Sequence, residues 1–498
     1  MRIHRSSVFY SVLVLTLSNL ALQALGFIYR ILLSRITGAE GMGVYQLVLP
    51  FYSVVLALAV SGLTLATARL SAEYEVLGNS NSARRVVVIC FRIFLMLFIC
   101  VAVPTVLFSE WISGTILGDI RCRTALLIVL PCLLCTGFEN ITKNYFFGIR
   151  AFNPPIISEL SEQTVRIIAV GALLIAFRPS DPGKSAALII CGMVISEITS
   201  LLILRFFYAK TKTAQHKCPA PTLRQIAAIA APVALSSVIS NLLSAANAVL
   251  IPRRLIAFGM DATCAISTFG VLFGMTMPLL SLPIAGVAAL TVVMVSKLAE
   301  DIAVKRTNDV RRKIGKTIHT TSLLSLPAMA ILIPLGHDIG KFIFGEPTAG
   351  NFMLPLCIAT LFSYYQISTT ALLNGIGHER TAAAIILIGG VVQLVGTWLV
   401  GSIGIRGFLV GYIISSAVMA VLNFSCLMRK VSLHTQWRNW FFVPISSSIL
   451  SGLAANFAHQ MGVSLPISIA LALATYLVAT RIQGTSVIRY IKAIIPSR

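Results

Sequence analysis

The chain has 498 residues, 57% of them apolar and 11% charged, with a mean hydropathy of +0.89. Soluble domains carry about a quarter charged residues, so the composition excludes a water-soluble enzyme and points to lipid as the solvent. Lys and Arg number 39 against 17 Asp and Glu, a net charge of +22. In so apolar a chain this excess is read as basic cytoplasmic loops rather than nucleic-acid binding.

A spanning helix needs about 20 mostly apolar residues. Runs of that kind fall near 8–33, 47–69, 86–109, 124–147, 155–178, 184–208, 226–251, 264–296, 316–336, 351–375, 381–401, 406–428, 439–459 and 463–481. The expected fold is therefore an all-α polytopic membrane protein of about fourteen transmembrane helices. The first run begins after Arg2 and Arg5, is too long for a signal-peptide core and lacks a small-x-small cleavage site. It is expected to be an uncleaved span with nothing soluble before it.

Numbering the connections, counting residues near span ends with the adjoining loop and placing the termini with the even ones collects 26 Lys and Arg on one side and 10 on the other; this leaves Arg92, Lys143 and Arg166 within spans. Both termini are thus expected in the cytoplasm of a plasma-membrane protein. The outward loops are short, which leaves no room for an external catalytic domain, and no enzymatic role is expected.

In chain order, the intramembrane charges come first. Such residues are costly, about 2.5–3.5 kcal/mol for Arg or Lys on insertion scales, unless they snorkel or pair. Arg92 and Lys143 sit near span ends and are expected to snorkel. Arg166 is roughly eleven residues into its span, about 16 Å deep at 1.5 Å per residue, so it must face protein or water. Glu139 precedes Lys143, and Glu162 precedes Arg166, by one helical turn in the favoured acid-to-base order. With Glu159 these charges cluster on spans four and five, either neutralising one another or lining a hydrated cavity. Glu197, near the middle of span six, has no neighbour of opposite charge in sequence and is either the candidate for proton coupling or a buried neutral acid.

Other signals are negative. Cys132 and Cys135 have CxxC spacing but no second pair and no nearby His, so neither a metal nor a redox site is expected. Gly183-Lys184-Ser185 and Gly315-Lys316-Thr317 end like phosphate loops, yet Arg178 and Val310 stand where the earlier glycine is required. No cofactor is expected, and any energy must come from an ion gradient, the membrane potential or the substrate gradient. Pro50, Pro131, Pro232, Pro278, Pro283 and Pro327 interrupt helices at membrane depth, which is tolerated where freed backbone groups meet protein or water.

The two longest polar connections, 209–224 and 297–316, are both basic and inward. The first divides the chain into a six-helix lobe over 1–210 and a second over 211–430, leaving two extra helices and a tail over 431–498. Residues 38–73 and 259–300 echo each other weakly, each running from a glycine through a polar turn and a proline-containing apolar run to a Ala-Glu ending. Six-span repeats are a transporter signature, with the substrate site expected between the halves.

The stretch Gly26 to Gln46, continuing through Pro50-Phe51-Tyr52-Ser53 to Ser61-Gly62, resembles the opening of the stage V sporulation protein B group. That group belongs to the polysaccharide-exporter branch of the superfamily holding the MurJ lipid II flippases, the Wzx O-antigen flippases and the MATE drug exporters. Phe147 to Arg150 with Pro154, Ser161 to Arg166, Ile251 to Leu255 and Leu279 to Pro283 agree with it. The resemblance implies two six-helix lobes around a central cavity and export of an undecaprenyl-diphosphate-linked saccharide or peptidoglycan precursor, in spore cortex formation. By similarity, the cavity cations engaging the diphosphate would be Arg30, Arg166, Arg253 and Arg254, with Arg35 nearer the outer rim. Glu139, Lys143, Glu159, Glu162 and Glu197 are then candidates for pairing or for coupling to a proton or sodium ion. Membrane lipids are the other expected partners.

A multidrug antiporter is the alternative. It would favour a carboxylate in the first or seventh span, where this chain has only Asn19, Gln23, Asn241 and Asn247. A membrane glycosyltransferase would want clustered acids at an interface loop, but Glu110, Asp119, Asp181 and Asp338 are scattered.

Overall fold

The computed structural model describes residues 8–211, 222–283, 287, 291, 294–295, 298, 301–302, 304, 306–432 and 436–484. Most of the connections at 209–224 and 297–305, and both chain ends, lie outside the described residues. Among the described residues the secondary structure is helical, with no strands.

Among the described residues, thirteen helical stretches are long and apolar enough to cross a membrane. The first, Leu17–Val76, has 60 residues. At 1.5 Å per residue it would measure about 90 Å, three times a hydrocarbon core of about 30 Å, so it cannot be one crossing. Gly38 divides it, with φ 68° and ψ −174°, a conformation that a side chain at this position would make costly. Counting two passes on either side of Gly38 gives fourteen in all, in agreement with the sequence reading.

The long helices relevant below are α1 (Val8–Leu56), α2 (Gly62–Val76), α3 (Ser80–Leu107), α4 (Cys122–Gly148), α5 (Asn153–Phe177), α6 (Pro182–Lys210), α7 (Leu223–Ala257) and α8 (Ala262–Phe269). They are followed by α9 (Thr307–Phe344), α10 (Met353–Gly375), α11 (Glu379–Trp398) and α12 (Ile405–Val431), with Val443–Gln460 and Leu465–Ile482 completing the chain. Local chemistry sets several starts. Asn79 caps α3 by accepting from the Ser82 amide at 3.0 Å. Asp181 caps α6 through the Lys184 amide at 3.0 Å, with Pro182 in the first turn where its missing N–H is harmless. Gly183-Lys184-Ser185 thus opens a membrane helix, and Gly315 lies inside α9, so neither fragment is a phosphate loop.

The chain forms two compact units. Unit 1 comprises residues 1–253 and 260–270, and unit 2 comprises 254–259 and 271–498. In unit 1, α4, α5 and α6 pack together, and α1 lies against all three. Its helices approach closely where side chains are absent: a Cβ on Gly43 would strike the backbone carbonyl of Ile266 in α8. The core of unit 2 includes Leu298, Val310, Ile314, Ile318, Leu372, Leu373, Leu427 and Trp440, joining α9, α10 and α12. The backbones of α11 and α12 meet at Gly396 and Gly411.

Candidate functional site

In unit 1 the three packed helices each turn acidic residues toward a common point at membrane depth. Helix α4 supplies Glu139 and Lys143, α5 supplies Glu159, Glu162 and Arg166, and α6 supplies Glu197. Glu139, Lys143, Glu162 and Glu197 are 1%, 8%, 9% and 3% exposed, so water cannot be what stabilises their charges. They stabilise one another. Lys143 Nζ lies 2.5 Å from Glu139, 3.4 Å from Glu162 and 3.5 Å from Glu159. Arg166 donates to Glu162 one turn back, to Glu197 at 3.0 Å, to the Ser196 hydroxyl at 3.2 Å and to the side-chain oxygen of Gln163 at 3.4 Å. The Ser200 hydroxyl donates to Glu139 at 2.5 Å.

Both one-turn pairs read from sequence are present. One expectation changes. Lys143 does not snorkel: the carboxylates of α5 hold its ammonium inside the helix packing, whereas Arg92 is exposed. Glu197, with no opposite charge near it in sequence, meets one in space, because Arg166, 31 residues away, reaches it.

Four carboxylates surround two cations, so the cluster carries an excess of negative charge when all are ionised. Oxygens of Glu139, Glu162 and Glu197 lie within 4.8 Å of one another, near enough to share one cation. A proton or a small metal ion at that point would relieve the mutual repulsion.

Beside the cluster is a cavity of about 180 Å³ whose lining includes Gly26, Tyr29, Arg30, Tyr45, Gln46, Gln163 and Arg166. Both halves of α1 contribute, because Gly38 lies between Arg30 and Tyr45 and redirects the chain. Arg166 therefore has two faces: it is bound to the carboxylates and it lines the cavity. Arg30 is the second cavity cation. Two guanidinium groups with two phenols and two amides form a donor-rich wall suited to an oxyanion.

The other two arginines singled out in sequence are placed elsewhere. Arg253 donates to the carbonyl of Ile116 at 2.7 Å and lies against Gly118, whose φ of 83° suits a glycine turn. Arg254 sits over the Trp398 ring, 4.8 Å from its centroid. Tyr29, Tyr45 and Gln46 were not singled out by sequence reasoning as site residues, although all lie within the distinctive stretch from Gly26 to Gln46. Cys132 is buried, and both Cys132 and Cys135 are free thiols.

Comparison with known proteins places this geometry in context. The family described as "Polysaccharide biosynthesis protein" matches residues 8–294, more than half of the chain. The chain is 25% identical over 430 residues to stage V sporulation protein B of Bacillus subtilis (strain 168), covering 84% of this chain and 83% of that protein. It is 22% identical over 416 residues to the lipid II flippase MurJ of the same organism, covering 77% and 75%. Among solved structures, an inward-facing multidrug resistance MATE family transporter of the MOP superfamily superposes with a TM-score of 0.68 at 16% identity, covering 84% of this chain and 98% of that one.

Proposed function

Because the chain belongs to the polysaccharide biosynthesis protein family, we propose that it is a plasma-membrane flippase for an undecaprenyl-diphosphate-linked saccharide or peptidoglycan precursor. Transport proceeds by alternating access, without ATP hydrolysis by this chain. The observation that carries the reading is the position of Arg166, shared between a buried carboxylate cluster and a cavity that also holds Arg30. A diphosphate offers oxygens to both guanidinium groups, which remain charged when desolvated and bind such oxygens bidentately.

When the substrate's diphosphate engages Arg166, it competes with Glu162 and Glu197 for the same donors. The carboxylates then hold a larger uncompensated charge, which a proton or sodium ion neutralises. Substrate and cation occupancy are thereby coupled, and an ion gradient can drive the cycle. Arg253 and Arg254 are not required by this arrangement. The likeness to stage V sporulation protein B supports a role in sporulation, and the likeness to MurJ supports the lipid-linked cargo; spore cortex formation is the process we assign to it. Both termini lie in the cytoplasm, and by span count the chain divides into six-helix lobes over 1–210 and 211–430 with two extra helices over 431–498.

A MATE-like antiporter is the second reading, favoured by the fold likeness. Binding to the detergent-solubilised protein separates the two. A polyprenyl diphosphate sugar should bind more tightly than the matching uncharged polyprenol, and Arg30→Gln should weaken that preference by about tenfold, the size of one charge-assisted hydrogen bond. Equal affinity for the two lipids, unchanged in the variant, would refute the anionic-cargo reading.

A further inference from the structure

Unit 2 contains a second basic cavity, of about 440 Å³, within the range of small-ligand sites. Three connections that the Lys and Arg distribution places on one side of the membrane meet there. They contribute Arg306 and Arg311 from the start of α9, His378 from the turn before α11, and Lys430 from the end of α12. Asp301 is the acid in the lining, and its carboxylate is taken by Lys313 at 2.5 Å.

We propose that this cavity binds the phosphate group of an anionic ligand, at a site separate from the unit 1 cavity. Three observations carry the proposal together. The first is charge: Arg306, Arg311 and Lys430 face one space whose acid is already paired. The second is preorganisation, because the Arg311 Nε donates to the Val431 carbonyl at 2.9 Å, fixing the guanidinium before any ligand arrives. The third is the backbone. Helices α9 and α11 both begin at this cavity, their N-cap residues being Arg306 and His378, and neither N-cap makes a side-chain capping bond. Their first-turn N–H groups and dipoles favour an anion. Of the acids in those turns, Asp309 is held by Arg312 at 2.9 Å and Glu379 is exposed.

Ile302, Val310, Ile376 and Val431 supply an apolar wall beside the cations. Phosphate against hydrocarbon is the pattern of a phospholipid headgroup at the membrane interface, and a soluble phosphate presents the same oxygens. The ligand chemistry is common to both sources; the inner-leaflet source alone rests on the inward assignment of these connections.

The test is titration of the purified full-length protein with short-chain phosphatidylglycerol, short-chain phosphatidylcholine and inorganic phosphate. Wild type and the double variant Arg306→Gln with Lys430→Gln are compared. Arg311 is kept, because its bond to Val431 joins two helices. Wild type should prefer phosphatidylglycerol over phosphatidylcholine, or bind inorganic phosphate, and the variant should bind the preferred ligand about tenfold more weakly or worse. Phosphatidylglycerol binding that excess phosphate does not compete away assigns the lipid source; competition assigns the soluble one. An unchanged melting temperature in the variant separates lost binding from lost folding. Wild type binding neither anion, or a variant retaining wild-type affinity, overturns the proposal. Arg30→Gln, titrated alongside, distinguishes the two cavities: loss of binding in Arg306→Gln with Lys430→Gln assigns it to unit 2, and loss confined to Arg30→Gln overturns the proposal.

Discussion

Arg166 on α5 and Glu197 on α6 are joined across 3.0 Å, and the same guanidinium lines the cavity that contains Arg30. One side chain thus connects the buried acid of α6 to a space where an anion could enter. Removing it has two consequences that must be separated.

Arg166→Gln leaves Glu162 and Glu197 without this cation at membrane depth. Breaking a buried pair by removing one partner costs about 3–5 kcal/mol, so the single variant should melt well below wild type in detergent. Arg166→Gln with Glu197→Gln removes the lone acid as well, while Glu162 keeps Lys143 at 3.4 Å. The double variant should recover much of the stability and remain inactive in transport. Recovery of stability and of the wild-type transport rate together would make the pair structural only.

Close helix contact in unit 1 depends on Gly43. A methyl group there would meet the Ile266 carbonyl, whereas at Gly114 the nearest atom to an added Cβ is 4.0 Å away. Gly43→Ala should therefore lose about 1–3 kcal/mol through overpacking, and Gly114→Ala should stay within about 0.5 kcal/mol of wild type. Thermal melts of the two variants side by side would check this. Equal melting temperatures would mean that α1 and α8 separate without cost.

Much of this architecture is legible in the sequence because lipid imposes a strong one-dimensional constraint. Apolar runs of fixed length reveal the passes, and a one-turn offset reveals Glu139 with Lys143 and Glu162 with Arg166. What the sequence hides is lateral. Glu197 gains its partner, and Lys143 its second and third carboxylates, only through the packing of α4, α5 and α6. Tyr29, Tyr45 and Gln46 are ordinary residues in an apolar helix until the break at Gly38 brings both halves of α1 to the cavity. Arg253 and Arg254 carry charges as conspicuous in sequence as Arg166, yet one meets a backbone carbonyl and the other an indole ring.

The proposed orientation rests on the 26 to 10 partition of Lys and Arg. In a Cys-depleted background, Thr348→Cys should react with an impermeant maleimide in intact cells. Arg380→Cys, exposed in the first turn of α11 on the side the partition assigns to the cytoplasm, should react only after the membrane is opened. The reverse pattern would invert the assignment of every loop.

The most direct measurement uses reconstituted vesicles loaded with a labelled undecaprenyl-diphosphate-linked precursor and assayed for its arrival on the opposite leaflet without ATP. The wild-type chain should accelerate arrival, respond to an imposed proton or sodium gradient, and lose the acceleration in Arg30→Gln. No protein-dependent acceleration under any ion gradient, alongside gradient-driven efflux of an organic cation dye, would contradict the flippase reading and identify an antiporter.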